Sequence, residues 1–449
     1  MTDPTLKGDT VVPGPSEILQ RLVRFDTTNP PGNERECVTY IHDLLSAAGL
    51  GCRLFAKDPD RPNLVARLAG RGNAAPLLVY GHVDVVTTAG QAWKHSPFGG
   101  QEIDGYVWGR GTLDMKGGIA MMLSALLRAR REGLVPSGDV VLAVVGDEEA
   151  GGENGAKYLV EKHADQFEGV RYAIGEFGGV SLRFAERTLY PIQIAEKQVC
   201  WLKATLRGPG GHGALPMRGG AMAKLGRFLT RLDQRRLPVH VTSVTRHMIE
   251  TLALKLPPPM GGILHELLDP ALTAKALKML AEKSKVFEPL LYNTVNATIV
   301  HGGHKINVVP TEIVVELDTR LLPTCSPEDV IAELRVVVGD DVAIDVERYD
   351  GASGEPDMGL YELLATIIGN SDPEGIPVPW LIPGATDGRH FHKLGIQSYG
   401  FTPMKLPPDF DYFSTIHAAD ERVPVKALEF GADALYRLLQ VYGADTEIG

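Results

Sequence analysis

The chain has 449 residues, 44% hydrophobic and 22% charged, as expected of a soluble globular protein of two or three domains with ample core. Its net charge of −11 and pI near 5.7 argue against nucleic-acid or anionic-membrane partners, which need clustered Lys and Arg, and no apolar run is long enough for membrane insertion. Cys37, Cys52, Cys200 and Cys325 are scattered and form no CxxC, which argues against a disulfide framework or a thiolate zinc site and fits a reducing compartment.

The opening stretch MTDPTLKGDTVVPGPSE lacks a basic segment followed by an apolar one, so no secretory leader is expected and the expected location is cytoplasmic. Residues 15–50 read as an amphipathic helix, a loop at Asn29-Pro30-Pro31-Gly32 and a second helix ending at Gly49. Strands are expected at about 63–68 and 77–81. Met121, Met122, Ala125, Leu126 and Ala129 recur at helical spacing, and Gly133 closes a helix over Ile119–Glu132. Residues 139–146 form a fully apolar strand. Alternating strands and helices predict an α/β fold whose mostly parallel sheet is covered by helices.

The pattern changes near residue 190. Gln198–Arg207, Thr294–Val300 and Thr311–Arg320 alternate like half-exposed antiparallel strands, and Val342–Arg348 is a further strand. Helices are expected at 219–233 and along 243–286, a Leu/Lys/Ala-rich and unusually extended stretch. Residues 191–350 therefore read as an inserted α+β domain. It divides a discontinuous catalytic domain made of 1–190 and 351–449, whose last part carries a helix at 359–369, the motif PGATDGRHF and a helix at 425–441.

Four segments end an apolar run in Gly and a carboxylate or imidazole: LLVYGHVDVV, GYVWGRGTLDMKGG, VVLAVVGDEEAGGENG and YAIGEFGG. Strand C-termini are where an α/β protein builds its site, and carboxylate and imidazole are ligand types that zinc accepts. His82 and Asp84 share a strand face, which suits one ligand and one carboxylate orienting its ring. The pair alone also describes an ordinary satisfied His–Asp contact. Asp114 precedes a helix and is either a ligand or an N-cap for residues 115–131. Glu148 and Glu149 repel each other, so unless their turn is solvated they call for a cation or a raised pKa. Gly208, Gly210 and Gly213 spell GxGxxG, with Asp233 beyond, but Pro216 and Gly219-Gly220 interrupt the helix that a dinucleotide site requires. His42, His95, His163, His240, His247, His265, His301, His304, His390 and His392 have no ligand-like company in sequence and read as surface or supporting residues.

The series GHVDVV, GRGTLDMKGG, GDEEAGG, GPGGHGALP, INVVPTEIVVELDTR, PGATDGRHF and HAADE resembles the M20 metallopeptidase family, in order and over roughly residues 16–442. That family holds aminoacylases, deacetylases, desuccinylases and carboxypeptidases. The resemblance implies two Zn2+ per subunit, with Co2+ or Mn2+ able to substitute. Asp114 would bridge them, His82 and Glu176 completing one site and Glu149 and His417 the other. It also implies that Asp84 supports His82, that Glu148 is the general base, and that the peptide after Asp114 is cis. The inserted domain would be a ferredoxin-like lid that forms a homodimer, with His212 reaching the partner subunit's site. Asn307, Arg320 and Arg389 match positions that contact the substrate's carbonyl or carboxylate.

The expected substrate is a small N-acyl amino acid or a short peptide, cleaved at an amide next to a free carboxylate. Glu at position 176 favours an N-deacylase, whereas AEKQVCWLKATLRGPGGHGALP and the long lid favour the branch with Gly-X carboxypeptidases. More distant alternatives are a non-catalytic protein of the same fold and a two-metal phosphoesterase.

Overall fold

The computed structural model describes residues 13–351 and 355–444. The chain begins with α1 (Pro15–Val23) and α2 (Arg35–Ala47), then β1 (Gly51–Phe55), β2 (Asn63–Leu68) and β3 (Leu77–His82). Helix α3 (Lys116–Arg131) and β4 (Val140–Val145) follow, and then β5 (Tyr172–Gly175), β6 (Leu182–Phe184) and β7 (Arg187–Glu196). Next come β8 (Gln198–Arg207), β9 (Gly211–His212), α4 (Ala221–Gln234), α5 (Ser243–Lys255), α6 (Met260–Glu266), α7 (Thr273–Leu280) and α8 (Ser284–Leu291). Strands β10 (Thr294–His301), β11 (Val308–Val309) and β12 (Glu312–Leu321), helix α9 (Pro327–Val338) and β13 (Ala343–Asp350) complete the middle of the chain. The last part holds α10 (Tyr361–Ser371), β14 (Gly375–Ile382), α11 (Gly388–His392), β15 (Gln397–Gly400), α12 (Tyr412–Thr415) and α13 (Val425–Val441).

These elements form two compact units. The first runs up to Ile194 and adds Asp357–Trp380 and the chain from Thr386 onward; the second is Ala195–Pro356 with Leu381–Ala385. A nine-stranded sheet runs in the order β1-β2-β4-β3-β5-β15-β7-β14, with β6 on β7. Its centre is parallel, through the pairs β4–β3, β3–β5 and β5–β15. The β1–β2, β2–β4 and β15–β7 pairs are antiparallel. Every residue of β3, β4 and β5 is buried, as expected of parallel strands covered on both faces. On one face Leu78, Tyr80, Val141 and Val145 pack with Leu159, Phe167 and Phe391. Helix α3 is apolar nearly all round, with Ile119, Met122, Leu126 and Ala129 buried, and lies between α1 and α13. Gly133, at φ +70°, stops it, and Leu134 N donates to Ala129 O at 2.9 Å.

The second unit has a four-stranded antiparallel sheet, β10-β12-β8-β13. With α4 after β8 and α9 after β12, this is the β-α-β-β-α-β order of a ferredoxin-like sheet. Strand β12 alternates strictly, with Ile313, Val315, Leu317 and Leu321 buried, which is what one covered face requires. Ser326 starts α9 through a reciprocal cap: Asp329 N donates to Ser326 Oγ at 3.2 Å, and Ser326 N to Asp329 Oδ2 at 2.8 Å. The extended helical stretch expected over 243–286 is instead four short helices, α5 to α8, reaching Leu291. Pro257-Pro258-Pro259 stops α5, Pro270 lies before α7, and Ala281 turns to φ +50° between α7 and α8.

Candidate metal centre

The parallel strands explain why the site's residues converge. His82, the last residue of β3, pairs in register with Val145 of β4, so the chains leave the sheet side by side. A Cβ on Gly81 would meet Met115 Cε at 2.4 Å, and one on Gly175 would meet the Tyr80 ring at 2.2 Å. Only glycine lets these neighbours press so close to the strand ends that carry His82 and Glu176.

His82 is buried, and its Nδ1 lies 3.0 Å from the Asp84 carbonyl oxygen and 3.4 Å from Asp84 Oδ1. The carbonyl therefore shares the orienting role expected of the carboxylate. A carbonyl can only accept, so Nδ1 donates, which leaves Nε2 to donate to a carboxylate when protonated or to turn a lone pair to a cation. Nε2 faces Asp114 Oδ1 at 3.1 Å and Glu176 Oε2 at 3.3 Å. Electron-rich atoms brought together in this way need a proton or a cation between them.

The other oxygen of Asp114 serves a second cluster. Asp114 Oδ2 is 3.2 Å from His417 Nε2, which is 3.1 Å from Glu149 Oε1. The donor atoms within each triad, His82–Asp114–Glu176 and Asp114–Glu149–His417, lie within 4.8 Å of one another. Ligands ~2.0–2.1 Å from a tetrahedral ion stand ~3.3 Å apart, so the spacings of 3.1 to 3.3 Å fit a small divalent cation in each triad. Asp114 is not an N-cap: Met115 is the cap residue of α3, without a side-chain bond, and the Asp114–Met115 peptide is cis.

Glu148 belongs to neither triad. Its carboxylate is largely enclosed, as is that of Glu149, so the turn is not the solvated one that would make this pair ordinary. Burial first, and then the charge of Glu176, push the Glu148 carboxyl well above its usual range. Burial likewise raises Glu176 to about 8, despite the nearby imidazole of His82. Burial also works to raise Asp114, but hydrogen bonds from His417 and His82 outweigh it and hold that carboxyl low. His417 is raised to about 10, mainly by its hydrogen bond to Asp114 and then by the one to Glu149. These shifts hold protons on Glu148, Glu176 and both imidazoles at neutral pH, protons that divalent cations would displace.

A supporting network holds this arrangement, and of its members the sequence revealed only Asp84. The Asp84 carboxylate accepts from Glu148 N at 3.1 Å, Glu149 N at 3.2 Å and Asn29 Nδ2 at 2.9 Å. It thereby fixes the backbone of the Glu148-Glu149 pair as well as His82. Asp147 stands at φ +69°, a region that Asp tolerates better than most residues. Its carboxylate accepts from Arg61 Nη1 at 2.9 Å, Asn29 Nδ2 at 3.1 Å and Asn154 N at 2.9 Å. Arg61 also donates both arms of its fork to buried Glu34, at 3.0 and 2.7 Å. On the other side, Arg110 Nη1 donates to Glu421 Oε2 at 2.7 Å and Arg110 Nη2 to His417 O at 3.1 Å. Glu421 Oε1 accepts from Leu113 N at 2.8 Å. One buried ion pair thus holds the segments carrying Asp114 and His417.

Arg389 lies in the first unit with its Nη1 3.9 Å from Glu148 Oε1, and donates to Thr386 O at 2.9 Å. His212, Asn307 and Arg320 belong to the second unit. His212 is exposed on β9, and its Nδ1 accepts from Ala214 N at 3.1 Å. Asn307 is exposed in the turn before β11, its carbonyl accepting from Gly213 N at 2.9 Å. Arg320 grips Asp318 with two bonds, at 2.8 and 3.2 Å. Both arginines expected at a substrate carboxylate therefore already face a carboxylate of this chain. Several other histidines have ordinary company: His95 lies against Trp108, His163 against Phe55, and His240 is paired with Glu333.

Residues 78–441 match the model of peptidase family M20/M25/M40. The chain is 28% identical over 384 residues to the N-fatty-acyl-amino acid synthase/hydrolase of Bos taurus, covering 83% of this chain and 75% of that one. It is 23% identical to aminoacylase-1 of Sus scrofa, over 94% and 93% of the two chains. The fold matches an M20 family metallo-carboxypeptidase from Sulfolobus solfataricus with a TM-score of 0.66 at 19% identity, over 95% of this chain and 98% of that one. A dinuclear metal-binding peptidase of the same family from Bacillus subtilis matches with a TM-score of 0.57 at 13% identity, over 95% and 97%.

Proposed function

The chain belongs to peptidase family M20/M25/M40 and is a metal-dependent hydrolase of amide bonds, and from that premise we propose that it is a two-zinc deacylase of N-acyl amino acids. The observation that carries this reading is the shared carboxylate of Asp114, one oxygen beside His82 and the other beside His417. His82, Asp114 and Glu176 would hold one ion, and Asp114, Glu149 and His417 the other. When bound, the ions supply Lewis acidity, which makes water a better nucleophile at neutral pH and stabilises charge on the carbonyl oxygen.

The chain's own groups do the rest. Glu148, held outside both triads, accepts the proton of the attacking water as the new C–O bond forms, and returns it to the nitrogen as the C–N bond breaks. Asp84 keeps the Glu148 backbone in place through its bond from Glu148 N. Burial keeps bulk water from competing at the carboxylate. The support for a deacylase in particular is Glu at position 176, together with likeness to an aminoacylase and to an N-fatty-acyl-amino acid hydrolase.

The experiment is a panel of N-acyl amino acids, dipeptides and p-nitrophenyl phosphate, each with zinc, cobalt or manganese. Hydrolysis of N-acyl amino acids well ahead of the others supports the proposal. Faster cleavage of dipeptides would make the protein a dipeptidase or carboxypeptidase, and turnover of the phosphate ester alone would overturn the amide reading.

A further inference from the structure

Glu148 is an enclosed carboxylate one residue away from Glu149, yet it belongs to neither triad. Three protein ligands leave a catalytic zinc one position for water. A carboxylate this near would take that position unless something held it elsewhere. Glu148 is paired instead with Arg389, Nη1 to Oε1 at 3.9 Å, the two side chains being only 9% and 13% exposed. At this distance the contact is no hydrogen bond, but attraction between charges needs no alignment and is strong where water is scarce.

The arginine is fixed by its own turn. Its Nη1 donates to Thr386 O at 2.9 Å, and the same carbonyl accepts from Arg389 N at 3.3 Å. Two glycines let α11 close on its neighbours. A Cβ on Gly388 would meet Tyr80 Oη at 2.9 Å, and one on Gly152 would meet His390 Nε2 at 3.0 Å and Asp387 Oδ1 at 3.1 Å. Helix α11 therefore packs both on the strand that ends in His82 and on the loop that carries the base. Among the charges around Glu148, those of Glu176 and Asp387 repel it and those of His82 and Arg389 attract it. His82 is neutral once its Nε2 takes an ion, whereas Arg389 keeps its charge.

We infer that Arg389 is a positioning residue for the base: its fixed guanidinium holds the Glu148 carboxylate off the ions, so that water and not Glu148 fills the open position. This rests on the metal-dependent amide-hydrolase reading above. It differs from the role that the resemblance gives Arg389, a contact to the substrate's carboxylate. A substrate carboxylate drawn to the same guanidinium would set a second negative charge beside Glu148, where Glu176 and Asp387 already repel it.

The test saturates four proteins with Co2+: the parent, Arg389→Met, Arg389→Lys, and Arg389→Met combined with Glu148→Ala. High-spin cobalt absorbs visible light more weakly as its coordination number rises, so the spectrum reads whether a carboxylate has entered. The absorption should fall in Arg389→Met, recover in the double variant, which has no carboxylate to enter, and recover largely in Arg389→Lys, which restores the charge. In the same proteins kcat should fall ~10–100-fold in Arg389→Met while KM holds, and the preference for an N-acyl amino acid over its amide should not change. An unchanged cobalt spectrum in Arg389→Met, or a change that persists without Glu148, overturns the inference. So does a rise in KM with loss of the preference for acid over amide, the result expected of an arginine that serves the substrate. Should Arg389→Met not fold, Arg389→Gln is read by the same spectrum with the same outcomes. If the spectrum responds as stated but no amide is cleaved with any metal, the amide-hydrolase reading fails and the role of Arg389 stands. If amides are cleaved and the spectrum does not respond, the role fails and the hydrolase reading stands.

Discussion

The polar residues that the sequence singled out, and those that support them, are held in opposite ways in the two units. In the first, Asp84, Asp147 and Glu421 are buried and each accepts several hydrogen bonds, and Arg61 and Arg110 are enclosed ion-pair partners. In the second, His212 and Asn307 are exposed on short turns, and Arg320 is half-buried on its own neighbour Asp318. Buried, multiply bonded groups hold one geometry, because every alternative leaves a charge unpaired in low dielectric. Exposed groups are free to move and cost little to rearrange. The first unit therefore holds these polar groups in fixed positions, whereas those of the second can rearrange at little cost.

Substitutions at the base and at the nearest ligand test the first half of this contrast most severely. Glu148→Gln should keep both metals, measured by elemental analysis, and lose ~10²–10⁴ in kcat. Glu149→Gln should lose metal occupancy as well. If the two exchange behaviours, the division between base and ligand is reversed. Chelation should abolish activity, and zinc, cobalt or manganese should restore it. A fully active preparation shown to be metal-free would remove the premise.

The second half is sharpened by His212→Ala. If this histidine polarises the scissile carbonyl, the expected loss is ~10²–10³ in kcat, with metal content and melting temperature unchanged, since the side chain is exposed. We propose that it acts in a homodimer. Mixing inactive His212→Ala and Glu148→Gln subunits should then recover activity, because a hybrid dimer has one intact site. A strictly monomeric active enzyme rules that out. The third effect is smaller and falls on the first unit: Asp147→Asn should cost ~10–100-fold in activity or metal affinity. Arg61→Met, which leaves buried Glu34 unpaired, should also cost about 3–5 kcal/mol of stability. Arg320→Ala should cost no more than about 1 kcal/mol, its pair being partly exposed. Equal destabilisation by Arg61→Met and Arg320→Ala would erase the distinction between the units.

Of the five residues that meet in the triads, His82, Asp114, Glu149 and Glu176 were legible from a local signal, an apolar run broken by glycine and followed by His, Asp or Glu; His417 carries no such signal and was placed with them by the resemblance. Apart from Asp84, which shares a strand face with His82, their supports carry none. Arg110 and Glu421 are 311 positions apart, and Arg61 and Asp147 are 86 apart. Neither arginine differs in sequence from an ordinary turn residue. A usable hint did exist at Asp147, a third consecutive carboxylate after a buried strand, which must import a cation if it is enclosed. The helical stretch was misjudged for the opposite reason. Pro257-Pro258-Pro259 and Pro270 announce breaks, but the Leu, Lys and Ala that flank them are strong helix formers.

A buried cation in the second unit supplies the mildest test, because changing it alters no catalytic group. Lys197 is fully buried, its Nζ donating to Tyr292 O at 2.8 Å and Thr294 Oγ1 at 3.0 Å, with no carboxylate among these partners. Burial first, and then the positive charge of Arg320, lower its pKa to about 7, whereas an unfolded chain keeps the ordinary lysine value of ~10.4. Below pH 7 the group is charged in both states, and folding bears the full penalty of burying the ammonium. Between about 7 and ~10 the unfolded state holds a proton that the folded state has released, so stability rises with pH across that window. Above it the penalty is gone. Lys197→Met removes the titration, so the melting temperature of the parent should climb relative to this variant from pH 7 toward 10 and run parallel to it below 7, a difference of roughly a few kcal/mol at most. Parallel curves throughout would mean that the ammonium is compensated in the fold, and the second unit would then hold a buried charge as firmly as the first.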